Sequence, residues 1–342
     1  MDQDHHQIAN SAARMNEQEF ALRWEEETSQ YEAWGDYITE HVRGAIAAAL
    51  GEHAPFLKIP PQPRVKKLES LIDKAFHRGK PYTDPYAQIT DKVGVRFVVL
   101  LVNDIRFIEG ILTGWEAIDC SKDRDYEKER LENPLEFTYQ SVHYVVRATR
   151  EIEHKGSRIS PGTPCEIQIR TLLQHAHSEL THDSIYKPTA SVKADPSVLR
   201  VVARSMALIE ATDDSFDTVV QKLAELERPF RESLQTLGHL YLEYVGQPAE
   251  MERSNTLILE AYSDLLGEDL EDKVRRLNER RSYIGDRIRE HAQTSHLFRQ
   301  AATLVVYLAV TCGPNVAKDK WPFTQEDLSL IYGDLGINID GY

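Results

Sequence analysis

CEIQIRTLLQHAHSELTHDSIYK, residues 165–187, begins with a strand pattern and continues with a helix pattern. In the strand part, apolar and polar residues alternate at the two-residue period of an extended chain. The apolar face consists of Cys165, Ile167 and Ile169. The polar face presents a carboxylate, an amide and a guanidinium, from Glu166, Gln168 and Arg170. Because polar groups are costly to bury, three of them in a row on a strand indicate a functional site.

The helical part of this stretch is rich in histidine, yet we expect no metal there. His175 and His177 are two residues apart, so on a helix they point to different sides. Two imidazoles placed in this way are poor ligands for one metal ion. We therefore assign no role to either residue.

The chain of 342 residues is long enough for one large or two ordinary domains with buried cores. Its apolar fraction of 41% and charged fraction of 28% are typical of globular proteins. No apolar run reaches the roughly 20 residues of a membrane helix, and the polar N-terminus lacks the apolar core of a signal peptide. Cys120, Cys165 and Cys312 are too far apart for a metal motif or a disulfide framework. We expect a cytoplasmic protein without a membrane partner.

The net charge of −15 argues against a protein that coats nucleic acid through its overall field. One local exception is a basic island between residues 64 and 80, which contains only two acidic residues, Glu69 and Asp73. Its basic residues are Arg64, Lys66, Lys67, Lys74, Arg78 and Lys80. By itself such a cluster is more often a solvated helix face than a binding site.

Hydrophobic periodicity predicts an α+β fold, with a mixed β-sheet flanked by helices and followed by an all-helical domain. The predicted elements are helices at 16–50 and 64–76, strands at 93–102 (buried on both faces) and 137–149, a charged loop at 121–134, a hairpin connection around 153–164, a long helix from 196 to 226 and a buried helix at 301–312. Pro229 marks the predicted boundary. The predicted parts are a disordered tail at 1–15, the mixed domain at 16–228 and the helical domain at 229–342.

Other polar residues fall on or beside the predicted strands. Asp91, at the mouth of one strand, could share a divalent cation with Glu166, and carboxylates of this kind suit Mg²⁺. Arg96 lies inside an apolar run and needs a partner or a ligand. Tyr139 could stack on a base, and His143 points to the same side of its strand. Together these groups predict nucleotide chemistry at phosphorus, although the chain has neither a GxxxxGK[ST] nor a GxGxxG motif.

Four blocks in the chain resemble the synthetase domain of RelA/SpoT-type alarmone synthetases. In chain order they read RVKKLESLIDK, DKVGVRFVV, YQSVHYVV and EIQIRT…HD…YK, and the resemblance covers roughly residues 20–225. It implies a mixed sheet flanked by helices, related to nucleotidyltransferases. It also implies an enzyme that transfers the β,γ-pyrophosphate of ATP to the 3′-hydroxyl of GDP or GTP, making (p)ppGpp and releasing AMP.

The resemblance also implies which residues would bind ATP. Arg64 and Arg96 would hold the adenine between them. Lys66 and Lys74 would neutralise the phosphates, and Ser70 would contact a phosphate.

For the metal and the acceptor, the resemblance implies a second set of residues. Asp91 and Glu166 would bind Mg²⁺, and Glu166 would also activate or orient the acceptor hydroxyl. Tyr139 would stack on guanine, and His143 would contact the acceptor's phosphates. The residues expected to support the site or to match the family's closing block are Gln168, Arg170, His182, Tyr186 and Lys187.

The sequence departs from the family pattern on the acceptor side. Residues 134–139 read PLEFTY, whereas the family loop usually reads PKxNGY. Two alternatives therefore stay open: a relative that pyrophosphorylates the 3′ CCA end of tRNA, and a non-catalytic nucleotide sensor. Because no HxxxHD-like metal pattern precedes Arg64, we expect synthesis without hydrolysis. The helical domain is expected to regulate the enzyme, to form a homo-oligomer or to bind a partner such as an antitoxin.

Overall fold

The computed structural model describes residues 15–51, 55–137, 141–181, 195–250 and 252–339. By their contacts the residues form two compact units, one that ends at Thr218 and one that begins at Val219. The tail predicted at 1–15 lies almost wholly outside the described residues, as do Tyr139, His182, Tyr186 and Lys187.

The first unit alternates strands and helices. In chain order its elements are α1 (Glu17–Leu50), β1 (Arg64–Val65), α2 (Leu68–Ile72), a π-helical turn (Asp73–His77), α3 (Pro85–Gln88), β2 (Val93–Val99), α4 (Val102–Thr113), β3 (Ile118–Arg124), α5 (Tyr126–Glu132), β4 (Val142–Ala148), β5 (Ile152–His154), β6 (Ser157–Ile159), β7 (Pro164–Thr171), α6 (Leu172–Thr181) and the beginning of α7 (Pro196–Val245).

The sheet of this unit has five strands in the order β1-β2-β7-β4-β3. β2 and β7 run parallel, and the other neighbouring pairs are antiparallel. The predicted mixed sheet flanked by helices is therefore confirmed. β5 and β6 form the predicted hairpin, which turns at Gly156 with a φ of 78°, a left-handed conformation that favours glycine.

Alternating side chains build the core as the pattern predicts. Cys165, Ile167 and Ile169 of β7 are fully buried. α1 buries one stripe of its surface, including Trp34 and Ile38, against the sheet side of the unit. Each fully buried side chain of this size contributes roughly 1.5–3 kcal/mol relative to exposure, so these contacts dominate the stability of the layers.

β2 differs from its prediction in length and in burial. It ends at Val99, and α4 begins at Val102 with the Asp104 carboxylate accepting a hydrogen bond from the backbone N–H of Leu101. Gly94 and Arg96 are only partly buried, so the prediction that this strand is buried on both faces is wrong. The reason is that one end of this face borders a cavity.

Two other predicted elements also need correction. The helix predicted at 64–76 begins only at Leu68, because Arg64 and Val65 pair with β2 as an edge strand. The loop predicted at 121–134 instead contains the end of β3 and the helix α5. Asp125 caps α5 by accepting from two backbone N–H groups of its first turn. The described part of the strand predicted at 137–149 begins at Val142.

The second unit is helical. Its elements are the remainder of α7, α8 (Arg253–Ala261), a 3₁₀ turn (Ser263–Leu265), α9 (Leu270–Arg280), α10 (Ile284–His291), a second 3₁₀ turn (Leu297–Arg299), α11 (Thr303–Cys312), α12 (Pro314–Lys320) and α13 (Gln325–Leu335). Residues 303–310 of α11 are all buried, which confirms the predicted buried helix. Pro229 lies inside α7 and does not interrupt it. No helix in the described ranges is long and apolar enough to cross a bilayer.

Candidate functional site

The register of the sheet brings the predicted polar residues onto one face. Gly94 of β2 lies opposite both Arg64 of β1 and Glu166 of β7. Two residues further along, Gln168 lies between Arg96 of β2 and His143 of β4. Because residues two apart on a strand share a face, these side chains form two adjacent rows across the sheet.

A cavity of about 580 Å³ opens over these rows. The residues of the predicted site that line it are Arg64, Lys66, Ser70, Lys74, Asp91, Arg96, Glu166 and Gln168. Lys67 and Arg78 from the basic island line it as well. The structure thus brings together side chains from Arg64 to Gln168, which are more than a hundred residues apart in the chain, and it places the basic island at a cavity.

Gly94 keeps the floor of the cavity open. A β-carbon added at Gly94 would lie 3.4 Å from the backbone oxygen of Glu166 and 4.0 Å from its Oε2 atom. Any side chain there would therefore occupy the space beside the Glu166 carboxylate. The single glycine in the VGV sequence of β2 leaves that space to a ligand.

The Asp91 carboxylate is held by two ammonium groups. Lys66 and Lys74 both donate to its Oδ2 atom, and the Lys74 Nζ lies 2.7 Å away. Burial would raise the pKa of Asp91, but the two lysines outweigh it and hold the pKa below its ordinary value. Burial lowers the pKa of Lys66, although Asp91 opposes this shift. The Oδ1 atom of Asp91 is buried without a hydrogen-bond partner among the residues that the structure describes.

The Glu166 carboxylate is held by an imidazole and an amide. The Nδ1 atom of His143 lies 3.2 Å from Oε1, and the Gln168 Nε2 donates to Oε2 at 3.1 Å. Burial would raise the pKa of Glu166, but His143 and Gln168 outweigh it and lower the pKa below its ordinary value. Glu166 is therefore ionised at neutral pH, as a metal ligand must be.

Sequence reasoning missed one residue, Glu179 on α6. Its Oε1 atom accepts a hydrogen bond from the Nη1 of Arg96 at 2.9 Å. The same oxygen lies 3.9 Å from Arg170 and 3.7 Å from His175. The spacing of four residues between His175 and Glu179 was the available signal, because it places both on one helix face. The partner of Arg96 is 83 residues away, so no local pattern reveals it.

The remaining predicted residues are distributed as follows. Arg170 is completely buried, and its Nη2 atom lies 3.9 Å from the Oε1 of Glu179 on α6. His177 is buried and its Nε2 lies 3.0 Å from the Ser205 hydroxyl. Tyr139 and His182 lie outside the described residues.

The residues around Asp91 and Glu166 fit a hard divalent cation. Both side chains offer carboxylate oxygens. Among the described residues the buried Oδ1 of Asp91 has no hydrogen-bond donor, so it is available to bind a cation. Gly94 leaves space beside Glu166. Two protein carboxylates are enough for Mg²⁺, since this ion commonly takes its other ligands from substrate phosphates and water. Elsewhere, in the second unit, ligand atoms of Glu250, Glu252 and His296 lie within 4.8 Å of one another.

Comparisons with known proteins show what this region of the chain is similar to. The family model described as "Region found in RelA / SpoT proteins" matches residues 63–191. No curated protein matches the chain.

Solved structures similar to the chain include the small alarmone synthetase 1 from Bacillus subtilis, with 20% identity over 60% of this chain and 99% of that chain, and a TM-score of 0.48. A GTP pyrophosphokinase family protein from Streptococcus pneumoniae is 22% identical over 60% of this chain and 97% of that chain, with a TM-score of 0.49.

The family match begins at Pro63, just before β1, and includes the lining residues of the cavity from Arg64 to Gln168. It is shorter than the range of about 20–225 that the sequence resemblance covers. Residues 63–191 therefore match the RelA/SpoT region, which confirms the resemblance predicted from the four sequence blocks.

Proposed function

We propose that the first unit is a pyrophosphokinase that transfers the β,γ-pyrophosphate of ATP to the 3′-hydroxyl of GDP or GTP, making (p)ppGpp. One observation carries this proposal. Within the RelA/SpoT region, the basic residues predicted to bind ATP and the two carboxylates predicted to bind Mg²⁺ line a single cavity. Positioning and charge neutralisation supply most of the catalysis in phosphoryl transfer, and this cavity is equipped for both.

On the donor side, Arg64 and Arg96 would hold the adenine, since planar guanidinium groups stack well on rings. Their positions on adjacent strands, on one face of the sheet, support this role. Lys66 and Lys74 would bind the phosphates, and Ser70 would contribute its hydroxyl. All five residues line the cavity.

On the acceptor side, Glu166 would orient the 3′-hydroxyl toward the β-phosphorus. The new P–O bond would form there as the bond to the bridging oxygen of the α-phosphate breaks, and AMP would leave with that oxygen. The hydroxyl proton would be lost late in the step, by way of Glu166, to solvent. The lowered pKa of Glu166 makes it a weak base, which favours orientation of the hydroxyl over early removal of its proton. His143, which contacts Glu166, and Tyr139 would hold the acceptor nucleotide.

Asp91 and Glu166 would hold the metal ion. When bound, Mg²⁺ would neutralise phosphate charge and orient the transferring group. Gln168 keeps one oxygen of Glu166 in place through its hydrogen bond. Ser70 and the two lysines, which line the same cavity, would bind the phosphates beside this metal ion.

The test is a transfer assay with γ-labelled ATP, Mg²⁺ and one acceptor at a time: GDP, GTP or deacylated tRNA. We expect label on the guanosine nucleotides, with one AMP released for each product. Label on tRNA alone would replace the proposed acceptor by the tRNA 3′ end. Nucleotide binding without transfer to any acceptor would favour the nucleotide sensor. Tyr139→Ala should raise the requirement for the acceptor more than that for ATP, because loss of a stacked base costs about 1–3 kcal/mol.

A further inference from the structure

The two carboxylate oxygens of Asp91 differ in their hydrogen bonding. Lys66 and Lys74 both donate to Oδ2. The buried Oδ1 has no hydrogen-bond partner in the described part of the chain. This Oδ1 atom is a good ligand for a hard cation, but a cation bound to it would lie close to two ammonium groups.

The net charge of the whole cavity also disfavours binding of a free cation. Six basic side chains and two carboxylates line it, so its formal charge is +4. Arg78 and Arg96 are paired with Asp73 and Glu179, which do not line the cavity. When those two acids are counted as well, two positive charges remain in excess. A free divalent cation would therefore enter a region that already repels it.

A triphosphate changes this balance. Its oxygens offer Lys66 and Lys74 a second anion to bind, and its charge is opposite to that of the cavity. As the lysines direct their N–H donors and charge toward phosphate, their hold on Asp91 weakens, and the buried carboxylate then needs another cation. A divalent ion that is already bound to the triphosphate meets this need.

We propose that Lys66 and Lys74 make Asp91 a ligand for a divalent cation that is bound to a polyphosphate, and that they exclude the free cation. The inference rests on the proposed function only for the assignment of metal to Asp91 and of phosphate to the lysines. By linkage, the polyphosphate and the metal must raise each other's affinity by the same factor. AMP lacks the β- and γ-phosphates and cannot produce this effect.

The experiment measures Mn²⁺ binding by electron paramagnetic resonance on the full chain, at equal free Mn²⁺, without nucleotide, with AMP and with α,β-methylene ATP. Asp91→Asn identifies the signal that belongs to this site and separates it from binding elsewhere. We expect weak binding without nucleotide or with AMP, and tight binding with the ATP analogue.

Lysine variants distinguish this inference from the alternative in which the nucleotide's phosphates merely carry the metal ion to the site and the lysines do not exclude it. Lys66→Met and Lys74→Met, made separately, should each raise the affinity for Mn²⁺ without nucleotide about tenfold, within the usual range of coupling between ligands. Both should weaken binding of the ATP analogue. Lys67→Met is the matched control, because Lys67 lines the same cavity but forms no ion pair with Asp91 among the described residues. It should change the affinity for Mn²⁺ much less.

Tight Mn²⁺ binding to the wild-type protein at Asp91 without nucleotide would overturn the inference, whether or not the variants fold. Equal Mn²⁺ affinity in the wild type and both folded lysine variants would overturn it too. Neither result depends on catalysis, so the transfer assay can succeed while this inference fails. Circular dichroism and thermal unfolding verify that each variant is folded.

Discussion

The two carboxylates of the site are held in different ways, although the pKa of each lies below its ordinary value. Asp91 is bound by two ammonium groups, from a residue beside β1 and from the π-helical turn. Glu166 is bound by an imidazole from β4 and an amide from its own strand. An ammonium group can exchange one anion for another. Hydrogen-bond partners on strands instead fix an orientation. We therefore expect Asp91 to exchange partners when a polyanion binds and Glu166 to keep its orientation.

The largest effect should come from removing the charge of Glu166. Glu166→Gln keeps the shape of the side chain but removes the negative charge through which Glu166 would bind the metal ion and orient the acceptor hydroxyl. We expect transfer to fall about 10²–10⁴-fold, the usual range for loss of such a group. Initial rates with γ-labelled ATP measure it. Glu69→Gln, at an exposed glutamate on α2, is the control and should be close to wild type. Full activity of Glu166→Gln would show that the Glu166 carboxylate is not required for transfer.

His143→Gln tests what lowers the pKa of Glu166. Among the causes of that lowering, His143 comes first, while burial pushes the pKa upward. Without the imidazole the pKa of Glu166 should rise, so activity should be lost at a higher pH as the solution is acidified. We expect a loss of about tenfold or more near neutral pH, since a hydrogen bond to a charged group is worth about 1.5–3 kcal/mol.

The measurement for His143→Gln is the pH dependence of the initial rate from about pH 4 to pH 8, a range that includes the ordinary carboxyl pKa. Stability should follow the same sign. In the wild type, a lowered folded-state pKa stabilises the protein above the unfolded-state pKa, and this contribution disappears as the pH falls through the folded-state pKa. The variant should lose that contribution at a higher pH. If activity falls at the same acidic pH in the variant and in the wild type, His143 does not lower the pKa of Glu166.

Gln168→Met should have a smaller effect of the same kind. Methionine has a similar length but cannot donate to the Oε2 of Glu166. One hydrogen bond is worth about 0.5–1.5 kcal/mol, so we expect kcat to fall roughly two- to tenfold. The KM for ATP should hardly change, because the loss affects the orientation of Glu166. A rise in that KM with unchanged kcat would place Gln168 on the donor side.

Glu179→Gln should have the smallest effect, and this effect should be on the binding of ATP. The ion pair between Glu179 and Arg96 is largely exposed, and pairs of this kind contribute about 0.2–1 kcal/mol. We therefore expect the KM for ATP to rise up to about fivefold while kcat stays near wild type. Glu179→Asp, which keeps the charge, should recover part of the loss. A fall in kcat alone would show that Glu179 does not act through Arg96.

Sequence reasoning succeeded where the signal was local and periodic. The two-residue alternation at residues 165–170 predicted β7 and its polar face, and the apolar run at 301–312 predicted α11. It failed at β1, because a two-residue edge strand is defined by its partner and not by its own pattern. It failed at 121–134 as well, where charged residues form the end of β3 and α5 through pairing with β4 and a cap at Asp125.

The sequence by itself predicted the resemblance to the RelA/SpoT region, the mixed sheet and most of the polar residues of the site, because motifs and periodicity are properties of neighbouring residues. Only the tertiary structure decided which of those residues touch. The pairing of Asp91 with two lysines, of Glu166 with His143, and of Arg96 with Glu179 depends on strand register and on helix packing. These contacts join residues far apart in the chain, and their geometry decides which charges each carboxylate meets.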